Sequence, residues 1–465
     1  MMITGFVDIN GKAKNFFFDG KQVILAPETT ISWKFPAEES HFDLLSGVTS
    51  TNREIFFIDC DYYEGQKILA KGWIIGTNST GTEHVTGFDS LRFSGTVLDC
   101  FFSPGRAFKI EKEFEEKVQG DEYSRVPSLV TAPFEEYCVT HNMVIAEENI
   151  EVNISVYVSY SLEQSERKFG ERYTTFTLRF KERKKLIEIP KYYLYMYDLC
   201  QFISFRRNVG FDKIEIWDRQ EGHTDKYAQK AICQFFVPDY KIPFSKNQKS
   251  VITYEDVQPH FDKFLETIFI RRSRKFEDSL FIPLDDKDAK RVTHSRFLDT
   301  ALSFEGQYTK MFPDIKSNSN LMFAEIKQLI LENIKKSSQE YGVKENLSKT
   351  KSKKAEQYFD KFVDAVDKVD SSLEEKFNDA LKKFPSINEE LASRIVKEEM
   401  CLPIQNYGEV FSKMRNYIGH GFPPQIENKH VAVFRIARIL IYALILSECE
   451  FEDRDIKKML IKLRM

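Results

Sequence analysis

A chain of 465 residues exceeds one ordinary domain, and its 42% hydrophobic and 14% aromatic content excludes global disorder. A formal net charge of −4 excludes a whole-protein basic field, so any nucleic-acid binding needs a local basic surface. Seven scattered cysteines, odd in number and without a CxxC pair, argue against a disulfide framework and for a reducing cytoplasm.

The N-terminus lacks a basic region followed by an apolar core, so no signal peptide is expected. Strand signals then dominate. Ile150–Val158 alternates apolar and other residues, as do Phe176, Leu178 and Phe180. Shorter strands are expected at Gln22–Leu25, Ile55–Cys60, Ile68–Ile75 and Lys213–Trp217, with an aromatic helix at Tyr192–Phe205. That helix offers rings for stacking bases, but at helical spacing it reads as core.

Beyond about residue 255 the spacing becomes helical. Helices are predicted over Asp256–Ile270, Arg296–Phe312, Leu321–Lys336, Lys354–Phe384, Ser393–Met400, Gly408–Tyr417 and His430–Ser447. Lys335–Lys354 is polar, Lys-rich and contains Gly342, so it reads as an inserted loop. The polar stretch from Pro283 sets a boundary near 290. The expected fold class is α+β in two domains, a β-rich 1–290 and an all-α helical bundle at 291–465. The longest apolar run, Ile439–Leu446, is too short to span a bilayer, so no membrane partner is expected.

Two motifs lead nowhere. Gly76–Glu83 has the glycine spacing of a phosphate loop but lacks its lysine, and reads as a turn between strands. Cys138 and His141 have metal-like spacing, but no second pair completes a zinc site. No metal site and no cofactor are expected.

The segment Arg415-Asn416-Tyr417-Ile418-Gly419-His420 carries more chemistry. On a continuous helix Arg415 and His420 would lie about 140° apart at ~3.6 residues per turn. Gly419, Gly421, Pro423 and Pro424 signal a helix end, so His420 is expected to leave the helix and turn back toward Arg415. The residue types suit phosphodiester cleavage. An RNA 2′-OH attacking its own phosphate needs a base, the 5′-oxygen needs an acid, and the phosphorane needs positive charge beside it. His titrates near neutrality, Arg presents a fork matched to phosphate oxygens, and Asn416 can orient the His or donate to phosphate. One chain supplies one such His, and two proton transfers are needed. A two-fold dimer would supply both. The bland reading is a surface arginine and a histidine at a helix end.

Arg415-polar-x-x-x-His420 resembles the signature of HEPN-domain RNases, helical bundles that dimerise around a composite site. Arg296–Glu305 looks like the opening helix of such domains, and Val431–Leu446 follows the motif as their final helix does. The β-rich half, through Ala70–Gly76, Phe88–Ser94, Leu199–Phe205 and Lys213–Trp217, resembles the N-terminal domain of ApeA-type bacterial proteins. The resemblance implies a metal-independent endoribonuclease in bacterial anti-phage defence (abortive infection), acting on tRNA or mRNA as a homodimer, with a phage-derived trigger. It implies catalytic roles for Arg415, Asn416 and His420, with Glu305 and Tyr417 as auxiliary candidates. The Lys-rich insertion at 335–354 departs from the family pattern. Arg271, Arg272, Arg274 and Lys275 form the densest basic cluster, an RNA-tracking surface or a solvated helix end. The alternative reading is a non-catalytic module that binds a nucleotide or a protein through the same residues. A third is a sensor scaffold whose β-rich half is the functional part.

Overall fold

Burial alternates along the first strands. Over Ile3–Ile9 every second side chain is buried, so one face requires a packed layer behind it. The computed structural model describes residues 2–9, 12–26, 41–63, 67–79, 84–110, 129–160, 169–219, 226–235, 250–270, 292–313, 321–344, 349–367, 372–390 and 406–463. The chain forms two compact units, chiefly Met1–Ser273 and chiefly Lys290–Ile461. The first is rich in strands and the second is helical, an α+β arrangement.

In the first unit β1 (Ile3–Ile9), β2 (Lys12–Phe18), β3 (Gln22–Leu25), β4 (His41–Thr49), β5 (Arg53–Tyr63) and β6 (Lys67–Ser79) run in the order β6-β3-β2-β1-β4-β5. β5 pairs back onto β6, closing an antiparallel barrel. Its interior is packed by Phe16, Phe18 and Phe57, whose rings meet edge to face at 5.3 and 5.0 Å, with Val23, Ile55 and Ile68 around them. So small a barrel brings backbones close. A Cβ on Gly5 of β1 would lie 2.1 Å from the Val48 carbonyl oxygen of β4, which only glycine avoids.

β6 outruns the barrel. Its residues Gly72–Gly76 pair with β14 (Tyr227–Phe235), and from there an open antiparallel sheet continues. The order is β14, β13 (Lys213–Arg219), β7 (Gly87–Ser94), β12 (Phe169–Lys185), β11 (Glu148–Tyr160) and β10 (Cys138–Ile145), while β8 (Phe108–Ile110) and β9 (Leu129–Thr131) pair separately. One sheet face sits under an aromatic helix. Among the helices, α1 (Thr96–Phe101) precedes α2 (Ile189–Ser204) and α3 (Phe261–Ile270). Tyr192 of α2 packs on Phe88 and Phe180 of the sheet. Tyr195 and Phe202 of α2 meet Phe269 and Phe264 of α3 at 5.1 and 5.7 Å. The rings at 192–205 are therefore core and not a base-stacking surface.

The second unit is built on α4 (His294–Met311), α7 (Leu373–Lys383), α8 (Tyr407–Gly419) and α9 (Asn428–Glu448), which pack on one another. Phe297, Thr300, Ala301, Phe304 and Tyr308 give α4 a buried stripe at three- and four-residue steps. Phe411 lies at the centre, with Phe297, Phe304 and Phe377 at ring distances of 5.3, 5.9 and 4.7 Å. α9 is long and apolar enough to cross a bilayer, but 83% of its most apolar stretch is buried, as in a core helix. α10 (Asp453–Lys462) follows it.

Three expectations are corrected. The helix predicted over Lys354–Phe384 is two helices: α6 (Lys349–Asp367) ends, and Ser372 caps α7 by accepting the Glu375 N–H, with the Glu375 carboxylate returning to the Ser372 N–H. The loop expected at Lys335–Lys354 is largely helix, because α5 (Leu321–Lys344) runs through Gly342 and α6 begins at Lys349. α5 and α6 form a hairpin whose polar outer residues remain in solvent. The helix expected over Asp256–Ile270 is a capped turn at Tyr254–Val257 followed by α3, with Pro259 between them. The helix expected at Ser393–Met400 lies outside the described residues.

Candidate active site

Core packing places the first pair of site residues. Phe304 of α4 meets Phe411 of α8, and the polar residues beside these rings are thereby brought together. Glu305 follows Phe304, and Arg415 lies one turn beyond Phe411. The Arg415 Nη2 is 3.9 Å from Glu305 Oε2. Glu305 Oε1 is 3.6 Å from the Nζ of Lys376, whose side chain is only 5% exposed. Lys376 also donates to Thr309 Oγ1 at 3.4 Å. Two cations thus share one carboxylate, and the cluster of three keeps a net positive charge beside the half-exposed Arg415. The Nη1 of Arg415 donates to Asn416 Oδ1 at 3.2 Å, which orients the fork.

The end of α8 is a Schellman motif. The Phe422 N–H donates to the Tyr417 carbonyl at 2.9 Å and the Gly421 N–H to the Ile418 carbonyl at 3.1 Å. Gly421 has φ +80°, the left-handed conformation this cap requires. His420 is the residue before it, with its N–H on the Asn416 carbonyl at 3.0 Å. The helix therefore stays regular to Gly419. His420 is exposed, and among the described residues no hydrogen bond or ion pair joins its ring to Arg415. Tyr417 and Phe422 stand beside it, 53% and 78% exposed. The segment after the motif is tied back by His294 Nε2, 2.9 Å from the Pro424 carbonyl oxygen.

Gly421→Ala is expected to cost about 1 kcal/mol, since a Cβ there meets no neighbour but the left-handed backbone is strained. Thermal unfolding measures the loss, and an unchanged midpoint would contradict it.

A second titratable group lies just downstream. Burial first, then Lys429, push the His430 imidazole below its ordinary 6.5. Its Nδ1 accepts the Glu427 N–H at 3.0 Å, which requires an unprotonated nitrogen at the start of α9. The unfolded chain takes up this proton more readily. The stability it contributes is therefore present above pH 6.5 and is lost as pH falls through the depressed folded value. The melting temperature is expected to drop across that window, and the drop should shrink in His430→Gln. Equal slopes in the two proteins would rule the linkage out.

The other candidates separate. Arg271, Arg272, Arg274 and Lys275 lie outside the described residues. Gly76 sits within β6, opposite Ala231, and not in a loop. Cys138 and His141 both lie on β10, and His141 instead faces Asp262 at 2.9 Å and the Tyr254 hydroxyl at 3.0 Å. The strands bring together one group that the sequence spacing hides. His41 of β4 lies 2.8 Å from Asp61 and 3.8 Å from Asp59 of β5. Lys71 pairs with Asp59 at 2.7 Å, and the group is an exposed ion-pair cluster. Lys376 and His294 were also missed. Lys376 had one sequence signal, a charge on the buried stripe of Leu373, Phe377 and Ala380.

The chain matches no protein-family model, no curated protein and no solved structure.

Proposed function

We infer that the helical unit is a metal-independent endoribonuclease of the HEPN type, working in the cytosol as a two-fold homodimer. The observation that carries this reading is the end of α8. Arg415, Asn416 and His420 sit there in the Arg-polar-x-x-x-His pattern, with Arg415 and His420 open to solvent and uncovered Tyr417 and Phe422 alongside. A second copy apposed at this end would bring in the second histidine that the chemistry needs. Arg415 would hold the scissile phosphate, and Glu305 and Lys376 would position Arg415. Asn416 would orient the Arg415 fork. The β-rich unit would restrain the nuclease until a phage-derived trigger arrives, and a tRNA or mRNA would be the target.

The test is to express the full chain with a phage challenge and map cellular RNA ends. Fragments bearing 2′,3′-cyclic phosphate are expected, and the purified chain should cut in the presence of EDTA. Cleavage that strictly requires a divalent metal would count against the mechanism.

A further inference from the structure

The open sheet of the first unit contains a hollow that the nuclease reading does not use. It begins at a break in strand pairing. Arg179 of β12 lies opposite Ser90 of β7, yet the next pair is Lys184 with Phe88. Residues 180–183 of β12 therefore face Asp89 alone. A strand with such an excess bows away from its ladder, and bulges of this kind often border binding sites. The hollow there measures about 350 Å³, within the roughly 300–1,000 Å³ of small-molecule sites.

Its walls are basic. Among the described residues, Arg179, Lys181 and Arg219 line it, against one carboxylate, Glu151, which lies opposite Arg179 in the β11–β12 ladder and pairs with it. Three positive charges thus meet one negative. Tyr227, opposite Arg219 across β13 and β14, holds both guanidiniums near its ring, at 5.4 Å for Arg179 and 5.9 Å for Arg219. The Arg219 N–H donates to Asp89 Oδ2 at 2.8 Å, and its Nη2 reaches the Phe180 carbonyl at 3.5 Å in the bowed segment. Arg219 is therefore positioned by a ring and by backbone contacts, with no carboxylate on its guanidinium among these contacts. Its charge stays available, and the guanidinium fork suits phosphate oxygens. Val144, 57% exposed, gives the same hollow an apolar wall. Inorganic phosphate would leave most of that volume empty.

We propose that this hollow binds a phosphate-bearing small molecule of nucleotide size, its phosphate among Arg219, Arg179 and Lys181 and its less polar part against Val144. The site is independent of the RNA-cleaving reading.

Calorimetric titration of the full chain with the common ribonucleoside 5′-mono- and triphosphates, and with inorganic phosphate, tests it. At least one nucleotide is expected to bind at about 1 mM or tighter, and more tightly than phosphate. A chain carrying both Lys181→Ala and Arg219→Ala should bind it at least ~10-fold more weakly, with an unchanged melting temperature because both side chains are exposed. Glu151→Gln removes an opposing charge and should tighten binding, a result that mere loss of structure would not give. Absence of binding across the whole panel would overturn the proposal. So would equal affinity in the double variant, or phosphate binding as tightly as every nucleotide.

Discussion

Replacing Arg415 or His420 with alanine is expected to lower RNA cleavage by at least ~10²-fold while leaving the chain folded and dimeric. The size follows from the roles proposed. A positioned general acid or base contributes roughly 10²–10⁴-fold, and a charge aimed at the developing phosphorane contributes about as much. Folding should survive because neither side chain holds the bundle together. His420 is exposed. Arg415 is half-exposed, and its pairing with Glu305 at 3.9 Å is a surface ion pair contributing ~1 kcal/mol or less. The measurement is the yield of fragments with 2′,3′-cyclic phosphate ends, with gel filtration to follow the dimer. Asn416→Ala should fall between wild type and these two, since it acts through the orientation of Arg415. Full cleavage by both alanine variants would end the assignment.

Phe411→Ala is expected to destabilise the helical unit by ~3–5 kcal/mol, the usual range for removing a large ring from a core. Phe411 is fully buried and touches rings from α4 and α7 at once. Little can collapse into the space, because its neighbours are themselves held by Tyr308, whose hydroxyl donates to Asp379 at 2.5 Å, and by the capped start of α7. Urea unfolding followed by far-UV circular dichroism would show the loss. A cost below ~1 kcal/mol would mean that α8 is anchored elsewhere. Cleavage should fall as well, since Phe411 sets the position of Arg415 one turn on.

The strands that alternate cleanly could be read from the sequence. β3 and the cores of β5, β6, β11, β12 and β13 coincide with the runs expected, as does the aromatic α2. β1 and β2 were missed because the barrel exposes Phe6 and Phe17 on its outer surface, 54% and 49% exposed, which erases the period-two contrast. The break between α6 and α7 was missed for a different reason. Phe362 keeps helical step with Phe377, yet it is 61% exposed, so the periodicity joined residues that share no core. In the candidate site, Arg415, Asn416 and His420 were legible as a motif, and Glu305 as a flanking charge. Lys376 and His294 reach the site only through helix packing, which a local pattern does not encode. The expected return of His420 toward Arg415 rested on the helix unwinding early. The glycine cap instead keeps it regular to its last residue.

The double membership of β6 has a consequence for how the first unit opens. Its early residues hydrogen-bond within the barrel and its later ones within the open sheet, while β5 flanks both stretches. Neither sheet can release β6 without disturbing the other. Amide protons at Leu69 and Ile74 should therefore exchange with deuterium in a single slow event, governed by global unfolding and not by local fraying. A polypeptide cut between the two sheets would leave one of them without its border strand, so neither sheet is expected to fold without the other.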